Sequence, residues 1–224
     1  MVDERLVEEI TKRVLERLGT AVPELNTPPE GPPPGFVPVG ISNRHLHLSK
    51  EDLEVLYGPG AELHSMRPLS QPGEFAAEET VILVGPKMRC LGAVRVLGPL
   101  RKTTQVEVSL TDAYLLGVIP PVRPSGQLEQ SESIIIVGPK GALHHKSGLI
   151  RANRHIHMHT RDAQQIGVRD NQTVQVRVPG ERPLLFEDVQ LRVSDKFATE
   201  MHLDTDDANA AGISQGDLVQ ILTE

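Results

Sequence analysis

The sequence predicts a mainly β fold with short helices. Two pseudo-symmetric small β-barrel domains are capped by helices, and an N-terminal amphipathic helix sits on a Pro-rich tether. Three observations point there. Val- and Ile-rich runs outnumber helical windows after residue 38. Seven prolines fall between residues 19 and 38. A short histidine motif recurs along the 224-residue chain.

Residues 2–18 read VDERLVEEITKRVLERL. Val2, Leu6, Val7, Ile10, Val14 and Leu18 recur at helical spacing, with charges on the other face. The run stops at Gly19, giving a helical segment over 1–18. Two uses stand side by side: docking on its own domain or a sister subunit, or offering an apolar face to a partner's groove. Residues 19–37 cannot support a regular hydrogen-bond ladder and read as an extended linker. A first barrel domain is expected over 38–125 and a second over 126–224, the boundary being approximate and strands exchangeable. VPVGIS, ETVILVG, QVEVSL, SIIIVG, TVQVRV, DVQLRV and LVQIL read as strands. Brief helical windows favour small barrels over a doubly wound sheet.

Composition narrows the function. Net charge is −7 and aromatic content 3%, which argues against nucleic acid as a partner. No apolar run reaches membrane-spanning length, and the N-terminus lacks the apolar core of a secretory signal. The single cysteine, Cys90, excludes an intramolecular disulfide framework and suggests a reducing compartment. Without an activating pattern around it, Cys90 is expected to be a small buried hydrophobe.

The repeat carries the argument. Asn43-Arg44-His45-Leu46-His47-Leu48 recurs as Asn153-Arg154-His155-Ile156-His157-Met158. His47 and His157 are each followed five residues later by aspartate, Asp52 and Asp162, then by Gly58 and Gly167. The same frame runs from Glu107 through Asp112 to Gly117, and from His202 through Asp207 to Gly212. Ser49, Ser109, His159 and Asp204 fall where a helix N-cap belongs, and the glycines where a helix closes. The chain thus reads as four copies of a strand–short-helix unit in two pairs.

Residues i and i+2 of a strand face one side, so His45 with His47, and His155 with His157, can each present two imidazoles to one ion. Glu107 and His202 occupy the matching slot of their own copies. Two His with one further N or O ligand leave a position open, the pattern of a catalytic rather than a structural zinc; cobalt, nickel or iron also fit. His64, His144, His145 and His159 have no histidine partner in the repeat and are read as structural or solvent-facing. Asp52's counterparts Asp112, Asp162 and Asp207 read as helix-capping groups. Asn43 and Asn153 either orient the imidazoles or only shape the strand turn.

VGISNRHLHLSKEDLEVLYG, IRANRHIHMHTRDAQQIGV and MHLDTDDANAAGI together resemble the PduL-type phosphotransacylases, or phosphate propanoyltransferases, over roughly residues 38–224. The resemblance implies two barrels with a dinuclear zinc site between them. It also implies reversible acyl transfer between coenzyme A and orthophosphate, with acyl-CoA (propanoyl-CoA first), phosphate and acyl phosphate as substrates. Carried over by motif, His45, His47 and Glu107 would hold one zinc, and His155, His157 and His202 the other. Arg101 would meet the phosphate as the catalytic arginine. PPVRPSGQL resembles the family's Arg-x-Ser-Gly stretch and gives Arg123 and Ser125 as further phosphate contacts, although Gln127 stands where the family usually has an acid. The family's microcompartment members carry a tethered N-terminal helix, so residues 2–18 imply shell or cargo partners, a microcompartment lumen and a setting such as propanediol degradation. Self-association through this helix is left open. Two rival readings remain: a zinc hydrolase of a small acylated or phosphorylated substrate, and a non-catalytic metal-binding microcompartment protein.

Overall fold

The computed structural model describes residues 31–223. The helix expected over 2–18 and most of the linker lie outside them. Alternation of valine with polar residues in TVQVRV demands a strand with one dry face. Thr173–Val178 forms it, burying Val174, Val176 and Val178 and exposing Thr173, Gln175 and Arg177. The same sorting closes two six-stranded barrels.

One barrel runs β1 (Phe36–Ser42), β13 (Glu200–Asp204), β10 (His155–Met158), β12 (Leu184–Val193), β11 (Thr173–Val178) and β14 (Leu218–Leu222), which pairs again with β1. The other runs β2 (His45–His47), β5 (Cys90–Gly98), β4 (Phe75–Val84), β8 (Glu132–Val137), β9 (Ala142–Ala152) and β6 (Gln105–Glu107), closing back on β2. β3 (Ser65–Pro68) extends β4, and β7 (Val122–Arg123) lies beside β9. Each barrel has its own apolar core: Leu46, Leu83, Val96 and Ile136 in one, Ile156, Val176, Leu191 and Met201 in the other.

The barrels exchange strands. β1 completes the barrel built from the C-terminal strands, while β8 and β9 complete the barrel built around β2. The chain therefore crosses between barrels at Asn43–Arg44 and again at Asn153–Arg154, the two dipeptides that open the histidine motif. Arg44 is anchored 2.8 Å from Asp112, and Arg154 2.8 and 2.9 Å from Asp207. Each motif arginine thus grips the helix of the neighbouring repeat unit.

Four short helices follow the repeat: α1 (Lys50–Tyr57) after β2, α2 (Leu110–Leu116) after β6, α3 (Thr160–Ile166) after β10 and α4 (Thr205–Ala211) after β13. Ser49, Ser109, His159 and Asp204 are their N-caps, each accepting a main-chain N–H. Gly117, Gly167 and Gly212 end three helices in the left-handed conformation. Gly-Pro-Lys occurs twice, at 85–87 and 138–140, each time directly after an apolar strand. A Cβ on Gly85 would fall 2.1 Å from the Leu116 carbonyl oxygen, and one on Gly138 2.6 Å from that of Leu56, so the C-terminal turns of α2 and α1 rest on bare glycine.

One expectation is corrected. Cys90 is exposed, not buried; it begins β5 at an end of the strand, opposite Val84. None of the described helices is long and apolar enough to cross a membrane.

Candidate active site

Leu46 and Ile156 point into their barrels and are fully buried. By strand alternation the histidines on either side of each point outward, and both pairs line one cavity of about 950 Å³ between the barrels. Register brings the third member of each set opposite. β2 and β6 pair His45 with Glu107, and β10 and β13 pair His155 with His202. The donor atoms of His45, His47 and Glu107 lie within 4.8 Å of one another, as do those of His155, His157 and His202. The second set forms a near-equilateral triangle, with ring centroids 4.7–5.0 Å apart.

Two of the rings are held in a defined tautomer. His45 Nδ1 lies 2.8 Å from the Asn43 carbonyl and His155 Nδ1 2.9 Å from that of Asn153. A carbonyl only accepts, so Nδ1 carries the proton and Nε2 keeps its lone pair. The main chain of the motif asparagines, rather than their amides, does the orienting. Burial, with neighbouring His45 and the Arg101 cation adding to it, pushes His47 down to about 2. Burial, followed by His202 and Arg192, takes His157 down to about 3. His155 is also held well below the ordinary histidine range, chiefly by burial. All three are neutral near pH 7, the form a metal would require.

These sets fit a metal. His47 Nδ1, His157 Nδ1 and His202 Nε2 are buried without a hydrogen-bond partner. An orphaned buried polar atom costs about 1–3 kcal/mol, which coordination would relieve. His202 Nε2 lies 2.9 Å from Glu200 Oε2, but out of hydrogen-bonding alignment. An N,N,O set and an N,N,N set, each short of four ligands, suit zinc with an open position.

Around the sets, Arg101 follows the first barrel's helix α1 and strand β5 in the chain, and its guanidinium reaches the Ser125 hydroxyl at 3.2 Å. Ser125 also accepts from Gln105 at 2.7 Å and donates to Glu107 at 3.1 Å. Gly126 N–H donates to Gln105, fixing the Ser-Gly turn against β6. All six expected ligands, Arg101 and Ser125 line the cavity. Arg123 does not; its guanidinium donates to the Val122 carbonyl at 2.9 Å.

The sequence model of the phosphate propanoyltransferases matches residues 38–214. The chain belongs to this family. It is therefore an acyltransferase enzyme. A relative from Thermotoga maritima named phosphate propanoyltransferase is 56% identical over 190 residues, covering 84% of this chain and 90% of that protein. One of the same name from Rhodopseudomonas palustris is 46% identical over 222 residues, covering 98% of each. One from Priestia megaterium is 49% identical over 216 residues, covering 96% of this chain and 95% of its own.

The enzyme's cavity also holds groups the sequence reading passed over. Glu200 faces the second set from β13, opposite His157, and accepts from Ser70 of the other barrel. Burial works to raise its pKa, but His202 and the Ser70 hydroxyl hold the carboxyl below its ordinary range. Phe197 stacks on His157 with centroids 4.4 Å apart. Gln71 bonds Ala198 in both directions across the barrels, at 2.9 and 3.3 Å. Arg192 lines the cavity from β12. Glu200 was legible in principle: its offset from His202 equals that of Gln105 from Glu107.

Proposed function

We propose that this enzyme interconverts a short-chain acyl-CoA, propanoyl-CoA first, plus orthophosphate with the acyl phosphate plus CoA. The observation that carries the reading is one interbarrel cavity lined by two pseudo-symmetric donor sets and by Arg101, in a chain of this family. His45, His47 and Glu107 would hold one zinc and His155, His157 and His202 a second. Zinc bound there supplies Lewis acidity toward a thioester carbonyl and toward phosphate oxygens.

The chain's own residues set the rest. The main-chain carbonyls of Asn43 and Asn153 hold Nδ1 of His45 and His155, which leaves Nε2 of each ring as the donor atom. Arg101 offers a planar fork to phosphate oxygens, braced by Ser125 and, at 3.5 Å, by Glu74. A phosphate oxygen attacks the acyl carbonyl carbon, the carbon–sulfur bond breaks, and the thiolate leaves as CoA with the proton the phosphate gives up. No acyl-enzyme is required. Cys90 does not line the cavity, and the Ser125 hydroxyl is committed to Glu107.

The test is thioester formation from acetyl or propanoyl phosphate and CoA, before and after chelation. Activity lost with the chelator and restored by zinc is expected. Arg101→Ala should slow turnover about ten- to a hundredfold with zinc content intact, while His157→Ala should lose metal and turnover together. Inactivity of folded, zinc-loaded protein, or a labelled acyl group trapped on the chain, refutes the reading.

The N-terminal segment we propose as a microcompartment address. Support comes from the amphipathic pattern of residues 2–18 and from the Pro-rich stretch that follows it. Deleting residues 2–18 should abolish co-purification with shells and leave turnover unchanged; retained co-purification refutes it.

A further inference from the structure

The two barrels repeat one backbone plan, so positions where their side chains differ stand out. β2 pairs His45 with Arg95 of β5 in parallel. β10 pairs His155 with Gln190 and His157 with Arg192 of β12, also in parallel. Arg95 and Gln190 are thus equivalent, and two residues further on the first barrel has Leu97 where the second has Arg192. Both line the cavity.

Most of the neighbouring arginines are committed. Arg44 pairs with Asp112 and Arg154 with Asp207. Arg95 donates to the Ala77 and Glu78 carbonyls at 3.0 and 2.9 Å. Arg101 is braced by Ser125 and Glu74. Arg192 is partly buried, and it has no hydrogen bond or ion pair with any described residue. The charges that act on it are Glu107, already accepting from Ser125 and Gln105, then Arg101 and Asp170. A guanidinium carries five donors and stays charged. Keeping one partly out of water and without a protein acceptor, in the cavity that Arg101 also lines, is costly. The geometry asks for an anion with several oxygens between them.

We propose that Arg192 is a second phosphoryl-binding residue. It meets, from the second barrel, the same orthophosphate or acyl-phosphate group that Arg101 meets from the first. The proposal rests on the acyl-transfer reading for its substrate, but the binding it asserts can be measured without turnover. Phosphate would then span the interface, each barrel supplying one planar fork. Leu97 at the equivalent place confines the second fork to one side of the cavity.

The experiment is calorimetric titration of the full-length, metal-assayed protein with orthophosphate, as wild type, Arg192→Gln and Arg192→Lys. Losing a charge-assisted contact should weaken phosphate binding about ten- to a hundredfold in Arg192→Gln. Arg192→Lys, which keeps charge and length but not the fork, should lose less and carries the test if the glutamine variant does not fold. Metal content should match wild type. In the assay, KM for phosphate should rise while KM for acyl-CoA holds. Wild-type phosphate affinity in the variants overturns the proposal, and so does a rise in KM confined to acyl-CoA. If wild type binds phosphate in an Arg192-dependent way yet transfers no acyl group, the acyl-transfer reading falls and the phosphoryl site stands.

Discussion

Gly40 offers a test of how the second donor set is held. It lies on β1, paired with His202 of β13, and has no side chain to fill the space above it. A Cβ built there falls 2.6 Å from Glu200 Cδ, with Oε2 at 2.7 Å and Oε1 at 3.0 Å. Gly40→Ala therefore cannot leave the Glu200 carboxylate where it is. A free glutamate would swing aside at little cost, but this one is buried to 7% exposure, accepts from Ser70 of the other barrel and lies beside His202. Displacing it forfeits a hydrogen bond to a charged group, about 1.5–3 kcal/mol. At a urea slope of about 2 kcal/mol/M, the unfolding midpoint should fall by about 1 M. Glu200→Ala removes the obstacle, so Gly40→Ala in that background should cost under about 0.5 kcal/mol, and the double-mutant cycle isolates the coupling. Equal losses in both backgrounds would refute the argument and place the cost in the β1 backbone instead.

Two further outcomes are expected. Leu46→Ala keeps both flanking histidines but empties a fully buried site in the first barrel's core; it should lower unfolding free energy by about 2–5 kcal/mol, and a loss below 1 kcal/mol in urea titration would contradict the packing. His64 Nδ1 lies 2.7 Å from Glu79 Oε1, and the hydrogen bond to that carboxylate raises the imidazole's pKa. Its contribution is present below the unfolded histidine's pKa and fades as pH rises through the folded one, so NMR titration should give a value above 6.5 that falls in Glu79→Gln; an unchanged value removes the pair.

The local half of this molecule was legible in the sequence, and the reason is the short range of its signals. His-x-His on a strand sets two imidazoles on one side within three residues, and an N-cap followed at N3 by aspartate marks each helix within four. Strand exchange has no such signature. VPVGIS reads as a strand wherever it pairs, and nothing in residues 36–42 says that they close the barrel of residues 155–222. Four of the fourteen described strands were also missed: β3, β5, β7 and β9 carry Gly, Pro, Arg, Lys or His among their apolar residues, because they lie at edges or turn a polar face to solvent. Arg192 was hidden for a related reason. In DVQLRV it occupies an outward position of an alternating strand, where arginine usually meets water; only the second barrel turns that side into a cavity.

The repeat explains the frame, and departures from it explain the chemistry the frame can hold. Equivalent residues in both barrels would give two like sites facing each other across 950 Å³. Instead, Glu107 stands where the other barrel has His202, Gln105 where it has Glu200, and Leu97 where it has Arg192. The first two changes exchange the acid between neighbouring positions. In the first barrel the carboxylate is within the donor set and an amide supports it; in the second an imidazole is within the set and the carboxylate supports it. One set is mixed N,N,O and the other all nitrogen, so ions held in them would differ in charge neutralisation and in Lewis acidity. The third change puts a lone guanidinium beside the all-nitrogen set, where no carboxylate ligand lowers the positive charge. The scaffold repeats, but the two faces of its cavity do not carry the same groups: Glu107 belongs to one donor set, whereas Glu200 stands beside the other with Arg192 on the neighbouring strand.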